Sequence, residues 1–328
     1  MIDSAVSRCT PGGRRIVALP PLVDGPQPAG TLAHVAVTVT EDGNRAGDAH
    51  PLVEAGPGPR SWQRAIVDLR QGWQQRSLWG YLGWQDIKQR YRRSVLGPLW
   101  ITISMGVVAT GMGILYAALF QQNIYTFLPY VATGLLIWNF INGCILEGSE
   151  VFIANEGLIK FLPAPLTLHV YRLVWRQTLF FLHNLVIWGI LMIIFPRPLG
   201  WQLLLAIPAF GLLVLNGGWI AILSGIIATR FRDIPPIIAS ITQLVFFMTP
   251  IVWSYEQLRS SNNPAVAERA RIAEINPVLH FIEILRRPLL GESFIGRYWI
   301  VVGVITVIGW AAALVCLRNY RSRVAYWV

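Results

Sequence analysis

The hydrophobic positions along this chain change pattern three times. From Ser61 they recur at helical spacing: Trp62, Ile66, Leu69 and Trp73 stand four, three and four residues apart, with Arg64, Asp68 and Gln71 turned away. After Gly80 and Gly83 a second amphipathic helix is predicted, in which Trp84, Ile87 and Tyr91 share one face while Asp86, Gln89, Arg90 and Arg93 take the other and Lys88 and Arg92 flank it. The pattern then turns continuous, with no charged side chain between Ser94 and Leu146. That run is too long for one soluble core helix and holds two membrane crossings of roughly 20 residues each. Continued to the end, the same reading places six crossings, at 98–120, 128–146, 177–195, 203–229, 236–253 and 298–317.

The fold class expected is therefore an all-α integral membrane protein. It has six transmembrane helices, amphipathic N-terminal interface helices over 59–97, and a re-entrant outer helical hairpin between helices five and six. Residues 98–328 form the transmembrane domain. Residues 1–58 are rich in Pro, Gly, Ala and Asp without a signal-peptide apolar block, and read as a disordered cytosolic extension. The alternating piece 34–39 reads as at most one strand with nothing to pair with.

Two connecting segments carry further structure. Residues 147–171 hold Ala154-Asn155-Glu156-Gly157-Leu158-Ile159-Lys160 ahead of Pro163-Ala164-Pro165, which predicts a short helix bounded by proline turns. Residues 254–297 hold Asn276-Pro277 before Val278, Leu279, Phe281, Ile282, Ile284 and Leu285. Asparagine at the N-cap and proline at the first helical position start a helix well, and the apolar run is too short to span, so it reads as re-entrant or interfacial. Glu283 and Arg287 are placed to pair along it.

Composition agrees with a membrane protein: 54% of residues are hydrophobic and 13% charged, against about 25% charged in soluble domains. The net charge of +10 does not point to nucleic acid, because the cations cluster beside apolar runs. Arg90, Arg92 and Arg93, Lys160 and Arg172, Arg230 and Arg232, and Arg318, Arg321 and Arg323 all fall on one side of the six-crossing topology, which makes that side and both termini cytosolic. The opposite segments have only Arg197 in the short loops, and a long loop whose arginines are balanced by glutamates.

Missing chemistry narrows the function. No carboxylate falls inside any of the six cores, which argues against an ion-coupled carrier. No Gly-x-x-x-x-Gly-Lys-Ser/Thr loop occurs, so any pumping must draw on an ATPase in another subunit. The cysteines (Cys9, Cys144, Cys316) and the five histidines have no metal-ligand spacing, and no metal or cofactor is expected in this chain. His183 is the only ionisable residue well inside a crossing; it reads either as part of a polar path or as a neutral histidine bonded to a neighbouring carbonyl. Trp138, Phe180, Phe181, Trp219, Phe246 and Phe247 are candidates for lining a path, and equally for lipid or packing contacts. A rival reading is a membrane-embedded acyltransferase acting on lipid-linked sugars, for which only His169 and His280 are candidates. A passive channel is a third.

The junction Trp84-Gln85-Asp86-Ile87-Lys88-Gln89-Arg90-Tyr91-Arg92-Arg93-Ser94-Val95-Leu96-Gly97-Pro98-Leu99-Trp100, the segment Arg230-Phe231-Arg232-Asp233-Ile234, the Asn276-Pro277 helix and the ending Arg321-Ser322-Arg323-Val324-Ala325-Tyr326-Trp327 together resemble the membrane subunit of type-2 ABC exporters for polysaccharides. The resemblance covers about residues 60–328 and leaves 1–58 outside. It implies a homodimer in the bacterial inner membrane with two copies of an ATP-binding subunit, which holds the ATP and Mg, moving a lipid-linked, O-antigen-like polysaccharide outward. It further implies an ATPase-coupling set of Asn155, Glu156, Lys160 and Phe161 with Arg230, Arg232 and Asp233. A substrate entrance would involve Trp84, Lys88, Arg90, Tyr91, Arg93, Leu96 and Gly97, and an outer gate Asn276, Pro277, Phe281 and Ile284.

Overall fold

The computed structural model describes residues 61–92, 94–97, 99–162, 164–259, 268 and 271–328. Among these, every regular element is helical. The extension 1–58, Arg93, Pro98 and Pro163 lie outside the described residues.

Two helices precede the bundle: α1 (Trp62–Gln74) and α2 (Arg76–Arg90). Then come α3 (Leu99–Leu119), α4 (Ile124–Ser149), the short α5 (Glu156–Phe161), α6 (Leu166–Ile194), α7 (Ala206–Arg230) and α8 (Ile234–Met248). After the short α9 (Tyr255–Arg259), α10 (Pro277–Leu289) and α11 (Gly296–Trp327) complete the chain. Five helical stretches are long and apolar enough to cross a membrane: α3, α4, α6, Trp201–Arg230 (α7 with the 3₁₀ turn before it) and α11. The sixth expected crossing, 236–253, is shortened to the 15 residues of α8, about 22 Å at 1.5 Å per residue. It stops there because Thr249 precedes Pro250 and adopts the extended backbone (φ −92°, ψ 137°) that proline imposes on its neighbour.

The bundle is built around α4, whose apolar window is 72% buried against 17–28% for the other four spans. It packs on α3, α6, α7, α8 and α10. Small residues permit the closest approach: a Cβ on Gly148 would stand 3.0 Å from the Cα of Ala221 on α7. One apolar core, including Leu136, Ile137, Phe140, Phe181 and Leu213, fills the half of the bundle nearer α10. A second, including Phe152, Leu166, Val170, Ile222, Leu317 and Val324, fills the half nearer α1.

α1 is amphipathic, as the spacing predicts, and both N-terminal helices pack on α6. On α1 the buried positions are Ala65, Asp68 and Gly72, while Trp62, Ile66 and Trp73 are exposed. In a soluble protein that arrangement would be inverted, but at a membrane surface an apolar face has lipid available, and the polar face is free to satisfy helix ends. α2 runs unbroken through Gly80 and Gly83, because Gly83 lies against the Trp175 ring and the Arg172 carbonyl of α6, an approach a side chain would block. Its buried residues are Gly83 and Ile87, and Asp86, expected on the outward polar side, turns towards α6, while Trp84 is half exposed.

Candidate functional site

The N-terminus of α6 has only Pro165 at its cap, with no side chain of its own to satisfy the first amides. Asp68 of α1 supplies what is missing. Its carboxylate accepts from the Leu166 amide (3.3 Å), the Thr167 amide (3.0 Å) and the Thr167 hydroxyl (2.8 Å), and pairs with Arg321 of α11 at 2.5 Å. A fully buried aspartate thus ties three helices by capping one of them from outside.

A second cluster lies beside it. Asp86 of α2 receives Arg172 Nε at 2.9 Å, a short contact from Arg172 Nη2, and Arg176 Nη1 at 2.8 Å. Arg176 reaches on to Glu147 at the end of α4 (2.5 Å), where Gln177 also donates (2.8 Å) and Arg90 stands at 3.7 Å. Burial pushes the Asp86 carboxyl up, but the Arg172 and Arg176 guanidiniums outweigh it and hold the group below its ordinary range. The remaining Arg172 nitrogen donates to Asn155 Oδ1 (3.4 Å), and Asn155 in turn caps back onto the Val151 carbonyl (2.7 Å). These links run from α2 through α6 and α4 to the turn that carries α5. A polar cleft of about 430 Å³ opens alongside, lined by Arg90, Glu150, Asn155 and His169 among others.

α5 packs Ile159 on the second core and leaves its other side uncovered. Phe161 is 84% exposed, with Leu158 and Leu162 also exposed, and Glu156 and Lys160 pair across one turn at 2.6 Å. That hydrogen bond holds the Glu156 carboxyl low. Near the same end, Arg232 donates to the Val328 carbonyl (3.4 Å), Asp233 precedes α8 without a capping bond, and Arg230 lies over the Phe231 and Trp327 rings at 5.7 and 5.6 Å. At the junction before α3, Tyr91 is half buried, Lys88 and Leu96 are exposed, and Gly97 takes φ +54°, a left-handed turn that glycine allows at low cost. Arg90 covers the Phe180 ring at 5.4 Å.

The aromatic candidates do not form one surface. Phe181 stacks on Phe210 at 4.4 Å inside the core, and Trp138 packs on Phe246 at 5.5 Å. Trp219 donates to Asn216 (2.6 Å), and Phe247 points outward, 59% exposed. His183 offers its backbone carbonyl to Thr102, while its buried Nε2 has no partner among the described residues.

At the opposite end Asn276 caps α10 by accepting from the Val278 amide (3.0 Å), with Pro277 at the first position. Phe281 and Ile284 are buried in the core. Arg286, 1% exposed, bonds the Pro250 carbonyl (2.9 Å) and Glu283 and stacks over Tyr130 at 3.8 Å, while Arg287 gathers Glu256 (3.1 Å), Glu292 (3.6 Å) and Glu283 (3.8 Å). His280 contacts the Glu274 backbone carbonyl (3.0 Å). His169 and His280 therefore lie on different helices at opposite ends of the bundle, and neither has a nucleophile bonded to it among the described residues.

Residues 77–290 match the family described as ABC-2 type transporter. The chain belongs to that family. Its relatives include two O-antigen export system permease proteins RfbA of Klebsiella pneumoniae, 25% and 21% identical over 69% of this chain and 87% and 86% of theirs. A third, RfbA of Myxococcus xanthus, is 24% identical over 64% of this chain and 79% of its own length. This ABC-2 chain is thus a membrane component of a transporter.

The cytosolic candidates of the sequence reading meet in this ABC-2 chain only in part: Arg90 and Asn155 join the Asp86 cluster, while Trp84, Lys88 and Leu96 stand apart from it. Sequence reasoning passed over Asp68, Asp86, Glu147, Arg176 and Arg321 as site residues. The signal was available, since these carboxylates are the few acids of a basic region flanking apolar helices, where an unpaired charge is costly. Pattern alone does not say which of the nearby arginines each one meets.

Proposed function

We propose that this chain is the membrane subunit of an ATP-driven exporter that moves a lipid-linked, O-antigen-like polysaccharide from the cytosol to the outer face. It works as a homodimer, with two copies of a separate ATP-binding subunit supplying ATP and Mg. The observation that carries the reading is α5, a knob with exposed Leu158 and Phe161 that is bonded through Asn155 and Arg172 to α2 and α6. A knob so tied suits force delivered by a partner, and the sequence has no P-loop with which to hydrolyse ATP itself.

In this reading α8 is the sixth crossing, short enough to thin the bilayer or to be extended by Thr249–Trp253. Both termini are then cytosolic, together with the end of the bundle bearing Arg90, Lys160, Arg172, Arg230, Arg232, Arg318, Arg321 and Arg323. The glycan enters near Leu96 and Gly97 and leaves beside α10, whose Asn276-Pro277 start forms the outer gate. The relatives named as O-antigen permeases support the cargo class, and the carboxylate-free cores suit a neutral polymer.

The test is reconstitution of this chain with its ATP-binding subunit in vesicles holding lipid-linked glycan on the ATP side. ATP-dependent appearance of glycan at the far face is expected. Glycan modification in place, or movement without ATP, would overturn the reading.

A further inference from the structure

Between α7 and α11 lies a cleft of about 590 Å³, and of its lining only Arg230 belongs to the coupling set above. Its inner wall is apolar, made by Ile226 and Ile227 of α7 and Cys316 of α11. Its rim is cationic and hydroxylated, with Arg230, Arg323, Ser322 and Tyr320. No carboxylate lines it, and neither Arg230 nor Arg323 has a carboxylate within ion-pair distance among the described residues. Arg230 is held at the rim by the Trp327 and Phe231 rings rather than by a counter-charge.

The depth of the cleft matters as much as its lining. α11 has 32 residues, about 48 Å of helix at 1.5 Å per residue, and a bilayer core is only about 30 Å thick. Its last turns, where Arg318, Arg321 and Arg323 gather, therefore project into the headgroup zone. The cleft straddles that boundary, apolar on the hydrocarbon side and guanidinium-bearing on the water side. Such basic pockets between transmembrane helices receive anionic lipid headgroups, and arginine suits phosphate because its planar fork donates two bonds at once.

We infer that this cleft is a binding site for an anionic phospholipid of the bilayer, with one acyl chain against Ile226, Ile227 and Cys316 and its phosphate between Arg230 and Arg323. Charge complementarity selects the headgroup, and the apolar wall selects a lipid over a free anion. Phe231, Tyr326 and Trp327 complete the lining, and the titration with a carrier lipid below separates a bilayer lipid from a glycan-bearing one. The inference does not depend on what the transporter exports.

The test is lipid retention by the delipidated full chain, titrated with phosphatidylglycerol or phosphatidylcholine and read by native mass spectrometry. The wild type should retain phosphatidylglycerol at least tenfold more strongly than phosphatidylcholine. The double variant Arg230→Gln/Arg323→Gln should lose that preference, and Arg230→Lys/Arg323→Lys should keep most of it, which separates loss of charge from loss of fold. Ile227→Trp, which fills the acyl side, should lower retention at least tenfold with both arginines intact. Equal retention by the double glutamine variant and the wild type would overturn the inference. So would displacement by millimolar inorganic phosphate, which would make it an anion site. Displacement by equimolar polyprenyl phosphate would reassign it to a carrier lipid, and a change of oligomeric mass in the glutamine variant would make it an interface between copies.

Discussion

Replacing Asp68 with alanine should destabilise the bundle by about 2.5 kcal/mol. The substitution removes the acceptor for the first two amides of α6, worth about 1 kcal/mol as a lost N-cap. It also removes a charge-assisted bond to Arg321, worth about 1.5–3 kcal/mol. Because the Arg321 side chain is 32% exposed, water recovers part of that pairing and the lower end applies. Asp68→Asn keeps a capping oxygen and loses the charge, so it should cost about half as much. At just under about 2 °C per kcal/mol for a chain of this size, the alanine variant should melt roughly 4–5 °C below wild type. Melting followed by circular dichroism in one detergent gives the comparison, and a double-mutant cycle with Arg321→Gln isolates the pair at about 1.5 kcal/mol. An alanine variant within about 0.5 kcal/mol of wild type, or one no worse than asparagine, would refute the idea that Asp68 caps α6.

Three further outcomes follow from the same geometry. Gly72→Ala should cost about 1–3 kcal/mol, as overpacking does, because its Cβ would meet the Thr167 hydroxyl, stand 3.0 Å from the Tyr171 ring and 3.2 Å from the Leu168 amide; unchanged melting would contradict that contact. Asp86, held below its ordinary range, stabilises the fold above the unfolded value of about 4 and loses that contribution as pH falls through the lowered folded value. The melting difference between wild type and Asp86→Asn should thus be flat from pH 6 to 8 and shrink below about pH 4; growth on acidification would be the wrong sign. Arg286→Ala should cost about 3 kcal/mol, the low end for a broken buried pair, because it leaves buried Glu283 with only the 3.8 Å contact to Arg287, and adding Glu283→Gln should recover part of the loss in the same melting assay.

The long apolar runs of α3, α4, α6, α7 and α11 were readable because lipid demands length and continuity, both visible in one dimension. The start of α10 was readable too, since Asn276-Pro277 is local chemistry, as was the Glu283–Arg287 pairing at one turn's spacing. What periodicity does not tell is which medium a face meets. It gave the apolar stripe Trp62, Ile66 and Trp73 of α1 without saying that the opposite side, with Asp68 and Gly72, is the one buried against the bundle. Asp68 meets Thr167 and Arg321 only through the fold, so its partners have no signature in sequence order. The end of α8 was legible in principle through Pro250, but hydropathy carried the expected crossing past it to 253.

The account rests on α5 as the point where an ATPase partner pushes, and the direct measurement is the ratio of glycan moved to ATP hydrolysed in reconstituted vesicles. The variant Phe161→Ala with Glu156→Gln and Lys160→Gln removes the exposed ring and the ion pair while leaving the Asp86 cluster intact. The account predicts that ATP hydrolysis by the partner continues while glycan export falls at least tenfold. Export per ATP equal to that of the wild type would contradict it.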